Sequence, residues 1–437
     1  MNLISKRTSL VLLVAIGFFA TGTASALPSP QEIADGELAL YQAPSVLKAA
    51  RYSFADHTRA LSAQMILGQG QRTAETLEAR AFARRNGVAA TAMRTSQTSM
   101  FAAKDATPLD VLASVKGNTA PAQSGLALWG SFYGGSSRYQ DHDGRNGFQA
   151  CTYGAIIGAE YDMGDDFLIG FMVAHERSRL KFGTGSSANT TIGLLYIIDE
   201  MRTETGGNAS LETLRFGPYA SKQFGKWFVN GSITAGLHKA KYQRGMLSEG
   251  TQTGSITGTL YNSWSDSETV KGSYNAWDLA FSGSVGRDIQ LSDNDLLTPY
   301  AALTYNYIQQ DGFTESGDIS ISRKFGSTQE TALTSYLGAR YHHNGDLFGM
   351  PVALSVNAAW AHQCLFGDEK QSGRGTVTNL PYGPSQRLGS TNNDYIVYGA
   401  SLDMPLCEST SLSVGYNGQY GSDHITHFGS VQLHVAL

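Results

Sequence analysis

From Leu126 onward, apolar and polar residues alternate in short runs separated by turn residues. In one run Cys151, Tyr153, Ala155, Ile157, Ala159, Tyr161 and Met163 share a face, and Thr152, Gly154, Gly158, Glu160 and Asp162 share the other, with Ile156 as the exception. Trp227, Val229, Gly231, Ile233, Ala235 and Leu237 repeat the pattern against Asn230, Ser232, Thr234 and His238. Side chains of a strand point alternately to two faces, so this period predicts strands with one apolar and one wet surface. Twelve strands are predicted, near 126–138, 149–163, 166–180, 211–224, 226–242, 274–291, 295–311, 329–342, 350–365, 395–404, 409–420 and 424–437. Their connections alternate short and long. The short ones hold Gly164-Asp165, Gly225, Ser292 to Asn294, Asn344-Gly345 and its neighbours, and Pro405 to Glu408, where Gly and Asn accept positive φ. The long ones, 181–210, 243–273, 312–328 and 366–393, are rich in Gly, Ser and Thr. Thr191 to Ile198 is apolar enough for a small hairpin or strand extension, and as a membrane strand it would change the count.

This rhythm predicts an all-β fold, a twelve-stranded antiparallel transmembrane β-barrel with a short α-helical N-terminal segment. Tight turns are expected on the periplasmic rim and long connections outside. An even strand number returns both barrel ends to the periplasmic rim, and closure leaves no unpaired edge in lipid. Twelve strands fall between the filled eight-stranded barrel and the sixteen-stranded channel, wide enough for roughly one helix. Tyr153 and Tyr161 are separated by roughly 20 Å along the membrane normal on a tilted strand, close to the ~25 Å apolar band. Tyr153, Tyr161, Trp227, Trp277 and Trp360 are therefore the expected membrane-interface aromatics.

Upstream, the period is helical. Ser45 is a candidate cap for a stripe of Val46, Leu47, Ala50, Phe54, Leu61 and Met65. Gly68 to Gly70 is expected to break it, and Thr73 to Arg85 to form a second helix carrying Arg80, Arg84 and Arg85. Thr107 and Pro108 open a third, short one that Gly117 stops. Residues 1–26 read as a secretory signal: Lys6 and Arg7, the apolar run Leu10 to Ala20, then Ala24-Ser25-Ala26 as a cleavage site. The expected organisation is a signal at 1–26, a helical segment at 27–125 and the barrel at 126–437.

Composition agrees. Charged residues are 16 % of the chain and hydrophobic ones 41 %, while Gly (49), Tyr (21) and Phe (19) are abundant, as membrane barrels require. A net charge of -5 gives no argument for nucleic acid. Cys151, Cys364 and Cys407 lack metal-ligand spacing and read as free thiols; no metal or cofactor is implied.

Four charged residues fall on inward faces: Glu160, Arg215, Asp278 and Arg340, the expected pore-lining set. A charge in the lumen costs little when water or a partner meets it. Two arrangements fit. Arg80, Arg84 and Arg85 of a threaded helix could meet Glu160 and Asp278, or the wall charges could bridge the lumen without a plug. Enzyme chemistry has weak support. Asp165-Asp166 lies at a turn, and His342 and His343 are strand neighbours that face opposite ways. Asp423-His424 has no evident nucleophile nearby, and His175, Glu176 and Arg177 read as a polar rim. No catalytic residue is assigned.

Several stretches resemble the C-terminal translocator domain of the autotransporter (type V secretion) family. They are LWGSFYGG at Leu128 to Gly135, GFTESGD at Gly312 to Asp318, TSYLGARY at Thr334 to Tyr341, AAWAHQCLFGD at Ala358 to Asp368 and the C-terminal SLSVGYNGQYGSDHITHFGSVQLHVAL. The stripe at 45–65 resembles the helical linker upstream of many such barrels. The resemblance implies an outer-membrane barrel, placed among outer-membrane lipid with the help of periplasmic chaperones and the barrel assembly machinery, and monomeric. It implies a non-enzymatic translocator that moves or anchors its N-terminal segment at the cell surface. Two departures stand out: the chain ends in Leu437 where the family usually has an aromatic residue, and only about a hundred residues separate the signal from the first strand, so the passenger is expected to be tiny or absent. The alternative is a stand-alone outer-membrane channel or structural surface protein without a true passenger.

Overall fold

A computed structural model describes residues 54–86, 125–140, 147–182, 185–192, 196–255, 259–317, 322–366, 370–375, 381–387, 393–407 and 409–437. Among the described residues one helix, α1 (Phe54–Asn86), precedes the strands. The barrel strands are β1 (Leu126–Tyr139), β2 (Phe148–Asp162), β3 (Phe167–Phe182), β4 (Tyr196–Phe224), β5 (Trp227–Ser255) and β6 (Thr259–Arg287). They continue as β7 (Asp295–Gln310), β8 (Thr328–Leu347), β9 (Met350–Phe366), β10 (Asn393–Cys407), β11 (Thr410–Gly421) and β12 (His424–Ala436).

Each strand pairs antiparallel with its sequence neighbour, and β12 closes on β1 in a register running from Ala127↔Ala436 to Tyr139↔His424. The result is a closed twelve-stranded barrel, which satisfies the backbone groups that an open edge would leave bare in lipid. The alternation sorts as the pattern demands. Ile157, Ile233, Phe281, Leu337, Val356 and Val431 are exposed on the outer surface, while Thr152, Arg215, Thr234, Asp278 and Thr334 are buried.

Three expectations need correction. Strands β4, β5 and β6 run far past their predicted outer ends, each 29 residues long. Their outer halves lack a sustained alternation of apolar and polar residues, so no periodic contrast marked them. The run from Thr191 to Ile198 needs no correction: it is the hairpin extension expected, a short strand, Gly185–Ile192, pairing with the outer end of β4, and the barrel count stays at twelve. Strand β8 runs on to Leu347, past its expected end at 342, so the turn falls at the far end of the expected connection, at Phe348 and Gly349, whose φ values are 54° and 81°. Strand β10 likewise passes through Pro405 to Cys407, with a bulge between them.

The third correction concerns the helix. Gly68 and Gly70 do not break α1, which is continuous for 33 residues and about 50 Å long. A Cβ on Gly70 would stand 2.6 Å from the Asn306 Oδ1 of β7. This glycine lets the helix approach the wall closely. The part of the stripe before Phe54 and the short helix expected at 107–116 lie outside the described residues.

Candidate functional site: the occupied lumen

Helix α1 fills the pore. Its upper end carries Met65, Ile66 and Leu67, packed into a buried apolar collar with Phe148, Leu180, Tyr242, Ile308, Phe313 and Phe325. Phe313 and Phe325 come from the connection between β7 and β8, at the rim with long connections. Lower down, Leu77 packs on Ile156, Trp129, Met172 and Tyr219. Ile156 is the residue that broke the dyad of β2, and its inward position gives the helix an apolar seat.

Below the collar the contacts become ionic. Arg80 donates to both oxygens of Glu160, through Nη2 at 2.5 Å and Nε at 3.2 Å. Arg84 Nε lies 3.1 Å from the same carboxylate, and its Nη2 3.7 Å from Asp162. Tyr219 donates a further bond to Glu160 at 3.1 Å and itself accepts one from Trp129 Nε1 at 2.7 Å. Glu160 is 1 % exposed, so this ring of donors replaces the water it has lost. Higher up, Arg72 pairs with Glu176 of β3 at 2.8 Å, and Tyr133 donates to the other oxygen of Glu176 at 2.9 Å.

The lower end is fixed from the opposite sign as well. Glu78 accepts from Asn230 at 2.7 Å and from Ser284 at 2.6 Å. Arg85 donates to Ser221 and Asn230, both at 3.1 Å, and its guanidinium lies 3.8 Å over the Phe228 ring. Asn86 reaches Asp288 at 3.5 Å. Phe82 sits edge-on to His342 and under the Arg340 guanidinium, 4.5 Å away.

The four inward charges thus have different fates. Glu160 receives Arg80 and Arg84 of the helix, and Arg340 covers Phe82. Asp278 does not meet the helix: Arg215 at 2.8 Å and His238 at 2.5 Å take it, so Arg215 and Asp278 bridge within the wall. Arg85 finds hydroxyl, amide and ring partners in place of that acid. Glu176, placed on the rim by sequence, is instead a buried lumen acid. Counting alternation from Met172 and Ala174 along β3 points it inward. Two residues that sequence reasoning passed over, Arg244 and Glu315, form a buried two-pronged pair at 3.0 and 2.8 Å, joined by Tyr242 at 2.7 Å. This pair ties the β7–β8 connection down over the mouth.

The helix leaves part of the lumen open. A cavity of about 110 Å³ runs beside it, bounded by Ser355, Asn357, Ser401, Asn417, Gln419 and Ser430 of β9 to β12. Outside, Tyr153, Tyr161, Trp227, Trp277 and Trp360 are all exposed on the lipid-facing surface. The Arg287 guanidinium lies 5.6 Å from the Trp227 ring.

The remaining chemical candidates resolve into structure. Asp165 and Asp166 hold positive φ in the β2–β3 turn. His342 bonds to Ser355 and Asn344, while His343 bonds to Asp295, on opposite faces. His424 donates from Nδ1 to Asp423 at 2.8 Å, in the β11–β12 connection, where Asn393 also donates to Asp423 at 3.1 Å. Burial alone would raise the Asp423 carboxyl, but the His424 bond and charge outweigh it and hold it below the usual range. The three cysteines are free.

The Autotransporter beta-domain family model matches residues 128–417. Two curated relatives, each an extracellular serine protease of Serratia marcescens, are 24 % identical over 303 and 301 residues; each match covers 68 % of this chain and 24 % of the relative. The chain therefore spans about a quarter of the length of the curated relatives it matches. Among solved structures, the translocator domain of the autotransporter NalP from Neisseria meningitidis is 14 % identical, with a TM-score of 0.47 over 75 % of this chain and 92 % of that one. The beta domain of the Bordetella autotransporter BrkA is 12 % identical, with a TM-score of 0.43 over 70 % and 98 %. The match over most of the barrel, on a closed twelve-stranded wall with an apolar outer face, makes the chain a member of the autotransporter β-domain family and an outer-membrane translocator barrel.

Proposed function

We propose that this barrel carries the chain upstream of α1 to the cell surface and afterwards holds α1 as its plug. The carrying observation is the direction of the helix. Its Met65 end lies in the collar at the rim with long connections, and its Asn86 end lies beside Asp288 at the rim with tight turns. Tight turns belong on the periplasmic side of such barrels. A chain that leaves α1 at Phe54 is then directed outward, and the Asn86 end of α1 and the start of β1 both lie on the inner side. The ionic contacts of Arg72, Arg80 and Arg84 suit a segment that must be seated after passage, because each charge meets an acid of the wall.

In this reading residues 1–26 serve as the export signal, and periplasmic chaperones and the barrel assembly machinery deliver the barrel. The barrel itself is not catalytic; any activity belongs to what it presents. An epitope inserted after Ala26 tests the proposal. It should be stained by antibody on intact cells and removed by added protease. An epitope protected until the outer membrane is broken would reject it.

A second reading, a channel that conducts around the helix, draws on the polar cavity of about 110 Å³. It predicts steady ion conductance in planar bilayers with α1 still in place.

A further inference from the structure

We propose that the outer ends of β3 to β6 bind a phosphorylated glycolipid of the lipid A type on the lipid-facing side of the barrel. The strand registers place seven outward cations in three adjoining rows, one of them, Arg138 of β1, continuing the first row beyond Lys181 through Gln149. The first row joins Lys181 of β3 to Lys271 of β6 through Asn208 and Gln243. The second joins Arg179 to Lys241 through Ser210, and the third joins Arg177 to Lys239 through Glu212. The next row inward is Leu214, Leu237 and Trp277, exposed to lipid. The cations thus border the apolar band directly.

Glu212 is the acid of these rows, and Arg177 lies 3.5 Å from it. The other six form two columns, on β3 and on β5 to β6, flanking the uncharged Asn208 and Ser210 of β4. Two strand spacings, about 10 Å, separate Arg179 from Lys241. The far side of the barrel differs. Gln329 and Thr331 of β8, His362 and Cys364 of β9, Asp394 of β10 and Tyr420 of β11 stand outward above the apolar band there, without a Lys or Arg among these described positions. Snorkelling alone would spread cations around the whole circumference. Their concentration on one sector calls for an anion, and the adjoining apolar rows call for acyl chains below it. A phosphate carries close to two charges, and Arg binds it through two parallel N–H donors. The placement rests on the long-connection rim facing outward, which the epitope experiment reads separately.

The test uses the full chain, folded in detergent micelles, titrated with diphosphoryl lipid A, dephosphorylated lipid A and phosphatidylglycerol. The unsubstituted protein should bind diphosphoryl lipid A tightly, the dephosphorylated form about a hundredfold more weakly, and phosphatidylglycerol weakly. A variant with Arg177→Gln, Arg179→Gln, Lys239→Gln and Lys241→Gln, folded as judged by heat-modifiable migration, should lose about a hundredfold in lipid A affinity. Equal binding of the dephosphorylated lipid by the unsubstituted protein would overturn the proposal, whatever the variant does. So would equal binding of phosphatidylglycerol, or a folded variant that binds lipid A unchanged.

Discussion

The two walls facing α1 are built differently. From β2 to β7 the wall meets the helix with Glu160, Glu176, Asn230 and Ser284, and with apolar seats at Ile156 and Met172. From β9 to β12 it offers Ser355, Asn357, Ser401, Asn417 and Ser430, small and polar, and leaves a gap. Contacts across that gap are fewer: Gln419 reaches Glu75 at 3.4 Å, and Arg72 lies 4.6 Å over Phe428. The difference separates two tasks. One wall holds the plug by charge, and the other leaves a polar margin beside it, so the helix is seated mainly from one side.

The comparison breaks most readily at Glu160. A Glu160→Ala substitution leaves Arg80 and Arg84 buried without their shared acid, which costs about 3–5 kcal/mol in similar sites. Single-channel recordings should show the open, unplugged state enriched by a factor on the order of a hundred or more. Adding Arg80→Met and Arg84→Met should recover much of the closed fraction, because no charge is then stranded. Equal opening in the single and triple variants would mean that the pair does not seat the helix.

Gly70→Ala is the next largest. The added Cβ meets the end of the Asn306 side chain, and we expect a loss of about 1 kcal/mol in plug seating. Asn306→Ala should relieve it. Protease nicking rates of α1 in detergent would report both effects, and a Gly70 variant as resistant as the parent would place the close approach elsewhere.

On the other wall, Asn417→Trp should fill the margin. Residual conductance should fall by half or more while protease resistance of α1 is unchanged. If α1 loosens instead, that wall contributes to seating and the contrast fails.

The smallest effect is acid loosening of the β11–β12 connection. The Asp423 carboxyl is depressed in the folded barrel, so its contribution is fully present above its unfolded value near 3.9 and is lost as pH falls through the folded one. Amide exchange at Asp423 and His424, taken relative to the intrinsic rate at each pH, should be slow at pH 5 and accelerate below about pH 4. In Asp423→Asn that acceleration should be absent.

Much of this architecture was legible because lipid and water impose opposite demands on alternate residues. The twelve barrel strands follow from that dyad, as does the outward placement of Tyr153, Tyr161, Trp227, Trp277 and Trp360. What the pattern could not show is where contrast vanishes. The outer halves of β4 to β6 lack a sustained alternation of apolar and polar residues, so their strand character had no signature. Gly68 and Gly70 read as a helix break because propensity says nothing of the wall that glycine allows α1 to touch. The partner of Glu160 could be anticipated from charge, but the choice of Arg215 and His238 by Asp278 depends on three strands brought side by side. Arg244 and Glu315 are 71 residues apart, one in a strand and one in a connection, and only the folded rim joins them.

The account turns on α1 threading the pore with its N-terminal end outward. With Cys151, Cys364 and Cys407 replaced by Ser, a single cysteine at Ser45 and, in a second variant, at Ser114 should be treated with a membrane-impermeant maleimide on intact cells. The account predicts labelling of the Ser45→Cys variant on intact cells and of the Ser114→Cys variant only after the outer membrane is permeabilised. The reverse pattern, or protection of both sites until permeabilisation, would contradict it.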